Sequence, residues 1–423
     1  MEAVTSVIQS LMGLGAVAIM PIIILILGLV LRVGFPKSLR AGFTVGIGFV
    51  GIYTIMGMLA TNLGPATQAM VERYQLSMTV VDVGWPITSA ITWASIVVPL
   101  VFICVLIVNV IMVYFGLTKT MDVDIWNYWL FMFGAALVYH QTGSLALGVI
   151  AGVVSAIIMF KLADFAYPYT KDWLPGVSFP HGTSVVWLPI IVGCNWLIDR
   201  IPGLNKLKAD PDRFQEKFGV FGEPLFIGLV LGALVGIMAG YPVSDVFVLA
   251  IYMGAVMVIM PKMIAIFMEG ISVISRAAQE FLSKSKIFKG REVLIGIDAA
   301  VLMGYPGVIT TGIIIIPVMI LIAFILPGNR VMPFVDLVNL APWFAFATIC
   351  SKGNVVRGVI ISAVLCCFTL WIATDLAPLV TLMGHDVGFS FPEGATTISS
   401  LCTGNLFVSY IVTKIFGLFS LIA

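Results

Sequence analysis

Long apolar runs without a charged residue dominate the chain, and short polar segments separate them. A membrane-spanning helix needs about 20 mostly apolar residues, and eight uncharged runs reach that length: 3–31, 41–71, 83–118, 125–160, 173–198, 224–244, 299–329 and 394–413. The longest runs have room for a span plus a re-entrant arm, or for two short spans. The pattern therefore predicts an all-α polytopic membrane protein with about ten to twelve membrane elements, including at least one pair of re-entrant hairpins.

One polar break interrupts the apolar background near the middle of the chain, in the stretch 176–190. Pro180, His181, Gly182, Thr183 and Ser184 follow one another there. Irregular polar backbone at membrane depth is tolerated only where it is buried in protein or lines a wet cavity. The break is therefore read as a re-entrant tip or broken helix that holds a polar substrate. An ordinary helix start, with Ser178 as N-cap and Pro180 in the first turn, fits equally well.

Composition narrows the class of protein. The 423 residues are 60% hydrophobic and 10% charged, whereas soluble domains carry about a quarter charged residues. A net charge of +1 gives no reason to expect nucleic acid binding. The spacing of the six cysteines suggests no metal site, and the absence of a GxxxxGK[ST] cradle argues against an ATP motor. We expect one membrane domain over residues 1–423, without a separate soluble domain, cofactor or metal.

Basic loops predict the orientation. Lys and Arg cluster in three segments, 32–40, 199–219 and 276–291. Short basic loops remain in the cytoplasm, so the N-terminus should face outwards.

A weak internal repeat is also visible. Gly84-Trp85-Pro86 after Asp82 resembles Gly304-Tyr305-Pro306 after Asp298, and a prolyl residue follows each in an apolar run. Only the segment before Asp298 is basic, which places the two copies on opposite membrane faces. Inverted repeats of this kind are typical of secondary-transporter folds with a substrate site near the midplane. The halves are predicted as about 30–170 and 240–375. A third Gly-aromatic-Pro at Gly240 lies outside this scheme, so chance recurrence of the motif is the alternative.

Two ionisable residues are the leading candidates for substrate contact, because charged groups in membrane segments are costly and often functional. Asp298 precedes an uncharged run and offers acceptors to substrate hydroxyls; a helix cap or a partner for a nearby Lys is the alternative. His181 both donates and accepts hydrogen bonds and titrates near neutrality. A purely structural histidine is its alternative.

Two further polar segments each allow a functional and a structural interpretation. His140 and Gln141 divide the run 125–160 and suit a neutral hydroxylated ligand, although a plain turn fits as well. Glu223, at a Gly-Glu-Pro corner, fits either a helix-terminus carboxylate or a base for a substrate hydroxyl. Asp336 and the pair His385-Asp386 are assigned to loops.

Four stretches carry a resemblance to a known family. They are Asp82-Val-Gly-Trp-Pro, Pro180-His-Gly-Thr-Ser, Lys217-Phe-Gly-Val-Phe-Gly-Glu-Pro, and the segment from Pro327 to Asp336. With them, the whole chain resembles the membrane component (EIIC) of galactitol-type phosphotransferase systems, and more distantly the ascorbate permeases of the same superfamily.

The resemblance implies properties that the residue pattern alone does not. It implies a homodimer in the bacterial inner membrane, with a transport core, a scaffold and elevator-like movement. The substrate would be phosphorylated by a phosphocysteine on a separate cytoplasmic EIIB protein, charged by EIIA, so that the phosphorylating residue is absent from this chain. It also implies the positions that hold the ligand: His181, Gly182, Thr183, Asp298, His140, Gln141, Asp82, Gly84 and Trp85. Glycine at 182, where the ascorbate permeases have glutamine, leaves room for a longer acyclic polyol.

The sequence thus predicts a permease for galactitol or a related polyol, with Glu223 as the candidate catalytic residue. Two alternatives stay open: an ion-coupled secondary transporter with Asp298 and His181 as coupling groups, and an intramembrane enzyme using the same two residues as acid and base.

Overall fold

The computed structural model describes residues 15–74, 78–203, 224–283, 292–305, 307–389, 391 and 395–419. The described chain is mostly helical, as predicted for a polytopic membrane protein. The residues outside the described ranges include Glu223, Pro306, most of the second basic segment and the second half of the third.

The first half of the chain alternates long helices with very short strands. Its elements are α1 (Gly15–Val30), α2 (Phe35–Tyr74), β1 (Val80–Asp82), α3 (Gly84–Trp93), α4 (Val98–Tyr114), β2 (Thr120–Asp122), α5 (Ile125–Thr142), α6 (Leu145–Thr170), β3 (Val177–Ser178), a 3-10 turn (Val185–Trp187) and α7 (Leu188–Ile198).

The second half follows a similar order. It contains α8 (Pro224–Ala239), α9 (Val243–Ser283), β4 (Leu294–Gly296), a 3-10 helix (Ala299–Gly304), α10 (Val308–Ile325), β5 (Val331–Met332), a 3-10 turn (Leu337–Asn339), α11 (Leu340–Trp343), α12 (Ala345–Ile349), α13 (Val355–Asp386), β6 (Ile398–Ser399), α14 (Leu401–Asn405) and α15 (Phe407–Phe419).

Local sequence accounts for several helix boundaries. Asp124 caps α5 by accepting the Trp126 N–H, and Ser144 caps α6 by accepting the Leu147 N–H. Between these helices Gly143 adopts a left-handed conformation with φ 68°, which glycine tolerates without steric cost. Residues 140–144 therefore form a tight junction between two helices.

The six strands form two parallel three-stranded sheets, which the sequence did not predict. The first sheet has the order β5-β1-β6 and the second has the order β2-β4-β3. In each sheet the central strand comes from one half of the chain and both outer strands come from the other half. The two halves are therefore joined at two places by main-chain hydrogen bonds.

Three described helices are long and apolar enough to cross a membrane: α6, α10 and α13. Helices α3 and α4 pass the same test together, but they meet at 93° across a break of four residues or fewer. This bend is the geometry of a broken span or a re-entrant segment.

The helices pack in two groups. α1, α2, α8 and α9 pack mainly on one another, and their contact with the rest of the chain runs mostly through α3 and α5. The remaining helices surround the two sheets and contain most of the buried aromatic side chains, among them Trp129, Trp187 and Phe346. We call the first group the four-helix layer and the second the sheet-bearing core.

Candidate functional site

A cavity of about 330 Å³ lies in the sheet-bearing core, where chain segments leave the strands. Its wall includes four tryptophans, Trp85, Trp126, Trp129 and Trp343, and the polar residues His181, Thr183, Asp298 and Asn339. Ala299, Ala300, Pro342 and Cys402 complete the lining. Small-molecule sites commonly combine an apolar wall with a few placed polar groups, so this cavity is the candidate substrate site.

His181 and Asp298 lie side by side at the cavity, although 117 positions separate them in the sequence (298 − 181 = 117). His181 Nε2 is 3.4 Å from Asp298 Oδ2. The other ring nitrogen, Nδ1, is 2.9 Å from the Thr183 hydroxyl oxygen. With a proton on Nε2, the ring donates to the carboxylate and accepts from Thr183, so one tautomer satisfies both contacts. The side chain of His181 is 8% exposed, whereas that of Asp298 is 25% exposed.

The second sheet brings these two residues together. β3 ends at Ser178 and β4 ends at Gly296, and these two residues pair in register. The chain then reaches His181 three residues after β3 and Asp298 two residues after β4. Ser178 lies in a strand and no helix begins there, so the interpretation of the 176–190 stretch as an ordinary helix start is wrong. Residues 179–184 form an irregular segment with a turn at 182–184, and the 3-10 turn Val185–Trp187 follows it.

Asp298 has a structural task besides facing the cavity. Its Oδ1 accepts the Ala300 N–H at 2.6 Å and caps the 3-10 helix Ala299–Gly304. Its Oδ2 faces His181. The helix-cap and the substrate-contact interpretations of Asp298 are therefore compatible, because each uses a different oxygen.

The tryptophan side of the cavity includes a donor that sequence reasoning missed. Trp85 meets Trp126 edge to face at 5.5 Å between ring centroids, and Trp126 lies 6.1 Å from Trp129. Trp129 Nε1 is buried and has no hydrogen-bond partner among the described residues. A buried indole N–H ordinarily has a partner, and this one has none in the described part of the chain. In the sequence, Trp129 looks like any other apolar residue of a membrane helix.

Two buried aspartates hold the first sheet's turns in place. Asp82 Oδ2 accepts the N–H groups of Phe334 and Val335, and its Oδ1 accepts the Gly84 N–H. Asp336 Oδ1 accepts the Trp85 N–H at 2.8 Å, and its Oδ2 accepts the Cys402 N–H at 3.1 Å. Each carboxylate thus binds the turn that follows the other one's strand.

These contacts indicate a structural role for both Asp82 and Asp336. Asp336, assigned to a loop from the sequence, is 1% exposed and positions Trp85 and Cys402 on the cavity wall. Asp82 reaches the cavity only through its neighbours, because its contacts with main-chain N–H groups use both oxygens. Asp82 and Phe334 lie about 250 positions apart in the sequence, as do Asp336 and Trp85. No local pattern reveals these contacts.

Gly84 and Gly182, the two glycines among the predicted site residues, lie behind the cavity wall. Gly84 has φ 75°, and a Cβ there would collide with Val335. A Cβ at Gly182 would lie 3.0 Å from Leu130 and 3.3 Å from Leu406. Glycine at these positions lets the backbone approach the facing segment closely, and this approach places Trp85, His181 and Thr183.

The structure does not bring His140 and Gln141 to this cavity. His140, at the end of α5, has Nε2 3.2 Å from Asp386 Oδ2 and Nδ1 2.8 Å from the Ala136 carbonyl oxygen. Gln141 packs beside Gly417 of α15. Seven of the predicted site residues thus surround or support one cavity, whereas these two lie elsewhere. Glu223, the predicted catalytic residue, lies outside the described residues.

The cavity chemistry suits a small uncharged hydroxylated molecule. A carboxylate, an imidazole, a hydroxyl and an amide supply both acceptors and donors, and indole faces pack against C–H groups. The part of the chain that the structure describes contains no group of three or more His, Cys, Asp or Glu placed to hold a metal ion.

Comparison with known proteins places the chain in a family. Residues 10–394 match the family described as "PTS system sugar-specific permease component" (EIIC-GAT). The chain is 37% identical over 415 residues to the "PTS system galactitol-specific EIIC component" of Escherichia coli (strain K12), covering 98% of this chain and 91% of that protein. It is also 37% identical over 400 residues to a "Putative permease IIC component" of the same strain, covering 94% of this chain and 91% of that protein. The chain therefore belongs to the family of sugar-specific permease components of the phosphotransferase system, as the sequence motifs predicted.

Proposed function

We propose that this permease binds galactitol, or a polyol that differs from it in few hydroxyls, in the cavity between Trp85, Trp126 and the His181–Asp298 pair. The observation that carries the proposal is this pair, 3.4 Å apart, in the wall of a cavity that four tryptophans also line. Asp298 would accept hydroxyl hydrogen bonds, and His181 would share its Nε2–H between the Asp298 carboxylate and a ligand hydroxyl. A relative with 37% identity is named as galactitol-specific, which supports the choice of polyol.

Membership of the family makes the chain a multi-pass protein of the bacterial inner membrane. Its substrate is expected to leave the site phosphorylated, with the phosphoryl group delivered by a cytoplasmic phospho-EIIB that EIIA recharges. Phosphoryl transfer depends mainly on positioning and electrostatics. We propose Glu223 as the group that orients the attacking hydroxyl, and Arg200 with the basic residues that follow it as the docking region for EIIB.

We further propose that the two halves are related by an inverted repeat. Support comes from element order: a 16-residue helix and a helix of 40 or 41 residues precede the first strand of each half. The sheets support the same relation. If β1 is exchanged with β4, β2 with β5 and β3 with β6, the order of the first sheet, β5-β1-β6, becomes that of the second, β2-β4-β3. The repeat units that this implies, 15–198 and 224–419, are longer than the halves predicted from sequence. They align β1 with β4, so that Asp82 corresponds to Gly296 and not to Asp298.

The four-helix layer is the proposed scaffold, and the sheet-bearing core is the proposed moving body. The separate packing of these two groups supports the division. We propose that the core carries the substrate by an elevator movement. The apolar outer face of α1 and α2, where Ile26 and Phe43 are exposed, is available to lipid or to a second copy in the expected homodimer.

The decisive experiment combines a binding screen with an uptake assay. Purified permease should bind galactitol more tightly than xylitol, sorbitol or mannitol, as measured by calorimetry. Vesicles containing the permease should accumulate galactitol phosphate only when phospho-EIIB is present on the cytoplasmic side. Full-rate accumulation of unmodified galactitol without EIIB would contradict the proposal in favour of ion-coupled transport. Chemical turnover of the polyol by purified permease alone would contradict it in favour of an intramembrane enzyme.

A further inference from the structure

A buried carboxyl and a buried amide lie side by side next to the tryptophan wall of the cavity. Asp122, the last residue of β2, is 2% exposed, and Asn127, in the first turn of α5, is fully buried. Asn127 Nδ2 donates to Asp122 Oδ1 at 2.9 Å. The other carboxyl oxygen, Asp122 Oδ2, and the amide oxygen, Asn127 Oδ1, have no hydrogen-bond partner in the described part of the chain. The Asp124 N–H lies near the carboxyl but makes no well-directed bond to Oδ2.

Asp122 Oδ2 and Asn127 Oδ1 lack hydrogen-bond partners although their side chains are already hydrogen-bonded to each other. An ionised carboxylate only accepts hydrogen bonds, and so does an amide oxygen. As long as Asp122 is charged, these two atoms cannot pair with each other. A buried polar atom without a partner costs about 1–3 kcal/mol, and more where a charge is involved. A single proton on Asp122 Oδ2 gives both atoms a partner, because the new O–H can donate to Asn127 Oδ1.

The charges around Asp122 favour the same state. The carboxyls of Asp124 and Asp298 are close enough to act on it, and both are acidic. The Tyr128 hydroxyl donates to the main-chain oxygen of Asp122 and leaves the carboxyl alone. On the neighbouring elements, His181 is engaged with Asp298, Lys119 with Glu292, and the Asp164 carboxylate with Thr118 and Thr120. Among the described residues no Lys, Arg or His forms an ion pair with Asp122.

We propose that Asp122 is a proton-binding site, and that its protonated carboxyl forms a cyclic two-hydrogen-bond pair with the Asn127 amide. The proton comes from solvent when the protein folds and stays bound at neutral pH. The pair anchors the first turn of α5 to β2, and this turn and the next carry Trp126 and Trp129 on the cavity wall. Asp122 and Asn127 are thus positioning residues for the substrate site, whichever polyol it takes.

An exchange of the two side chains tests the pair. Asp122→Asn keeps one donor and one acceptor at each residue, so the variant should fold, and its Tm at neutral pH should equal or exceed that of the unmodified protein, because its unfolded chain no longer gains stability by ionising residue 122. Asn127→Asp places two carboxyls face to face and should lower Tm. The double variant Asp122→Asn with Asn127→Asp re-forms an acid–amide pair in the opposite direction and should recover most of that loss. Failure of the double variant to recover any Tm would overturn the proposal.

The proton itself is tested by its pH dependence and its vibrational spectrum. Folding with an acid that stays protonated binds a proton, so stability falls as pH rises above the ordinary pKa of an aspartate. The Tm of the unmodified protein should therefore fall relative to that of Asp122→Asn from about pH 5 to about pH 8. Infrared difference spectra should show the C=O stretching band of a protonated carboxyl in the unmodified protein, absent from Asp122→Asn. Parallel Tm profiles, or no such band at neutral pH, would show that Asp122 is ionised.

Discussion

At the scale of single residues, the site depends on groups that perform two tasks at once. Asp298 uses one oxygen to cap a 3-10 helix and the other to face His181. His181 uses one nitrogen for Thr183 and the other for Asp298. This double use fixes the rotamers of both side chains before a ligand arrives. A pre-positioned site loses less entropy when it binds substrate.

Removal of either member of this pair should weaken binding. His181→Ala removes the Nε2–H that the polyol would share with Asp298, and Asp298→Asn replaces a charged acceptor, whose hydrogen bonds contribute about 1.5–3 kcal/mol each. We expect galactitol affinity, measured by calorimetry, to fall roughly tenfold or more in each variant. Asp375→Asn is the matched control, because Asp375 is a half-exposed carboxylate paired with Lys414 away from the cavity. Unchanged affinity in His181→Ala or Asp298→Asn would remove that residue from the site.

Asp336 should be needed for the shape of the site without touching substrate. In Asp336→Asn an NH₂ group would face the N–H of either Trp85 or Cys402, and one of the two hydrogen bonds would be lost. A buried donor without a partner costs about 1–3 kcal/mol. We expect a lower Tm and weaker polyol binding, because Trp85 or Cys402 is no longer held in the cavity wall. Equal Tm and equal affinity in variant and unmodified protein would show that the carboxylate is dispensable.

At the scale of elements, the polar break at 180–184 was predictable, but the sheets around it were not. Pro, Gly and hydroxyl residues in an apolar run mark irregular backbone directly. The strands, by contrast, have two or three residues each, too few to show an alternating pattern. Their pairing joins residues more than 100 positions apart, such as Val177 with Ile295. Tertiary contacts, invisible to local patterns, therefore define the elements that bring His181 to Asp298.

The close packing of α14 against α13 should leave no room for an added methyl group. A Cβ at Gly404 of α14 would collide with the Thr369 carbonyl oxygen of α13. Overpacking a rigid site costs typically about 1–3 kcal/mol, so Gly404→Ala should lower Tm measurably. Gly193→Ala in α7 is the matched control, since a Cβ there meets no atom within 4 Å. A Tm for Gly404→Ala equal to that of the control would contradict the close approach of α14 and α13.

At the scale of the whole molecule, a contact between the two longest described helices indicates which of their ends lie on the same side. α2 has 40 residues and α9 has 41, so each is about 60 Å long, twice the roughly 30 Å hydrocarbon thickness. Arg73, near the end of α2, lies next to Gly240, just before α9 begins. The opposite ends of α2 and α9 therefore share the other side, and the basic loops predict that this side is cytoplasmic.

Thiol labelling in intact cells tests this orientation. Lys37 near the start of α2 and Ser244 near the start of α9 are both exposed. In Ser244→Cys, an impermeant thiol reagent should label the protein above the level of the unmodified chain. In Lys37→Cys, labelling should rise above that of the unmodified chain only after the cells are permeabilised. The reverse pattern would invert the predicted topology.

The proposed movement of the sheet-bearing core against the four-helix layer has a direct distance signature. Spin labels at Lys37→Cys in the four-helix layer and Lys171→Cys at the end of α6 would report on both bodies, since both positions are exposed. A rigid-body displacement changes this distance while every distance within one body stays constant. We therefore expect more than one distance population for the pair 37 and 171, with populations that shift when polyol is added. The pair Lys161→Cys and Lys171→Cys lies within the core and should give one unshifted population. A single unchanged distance for the pair 37 and 171, with polyol binding intact, would argue that substrate crosses without an elevator movement.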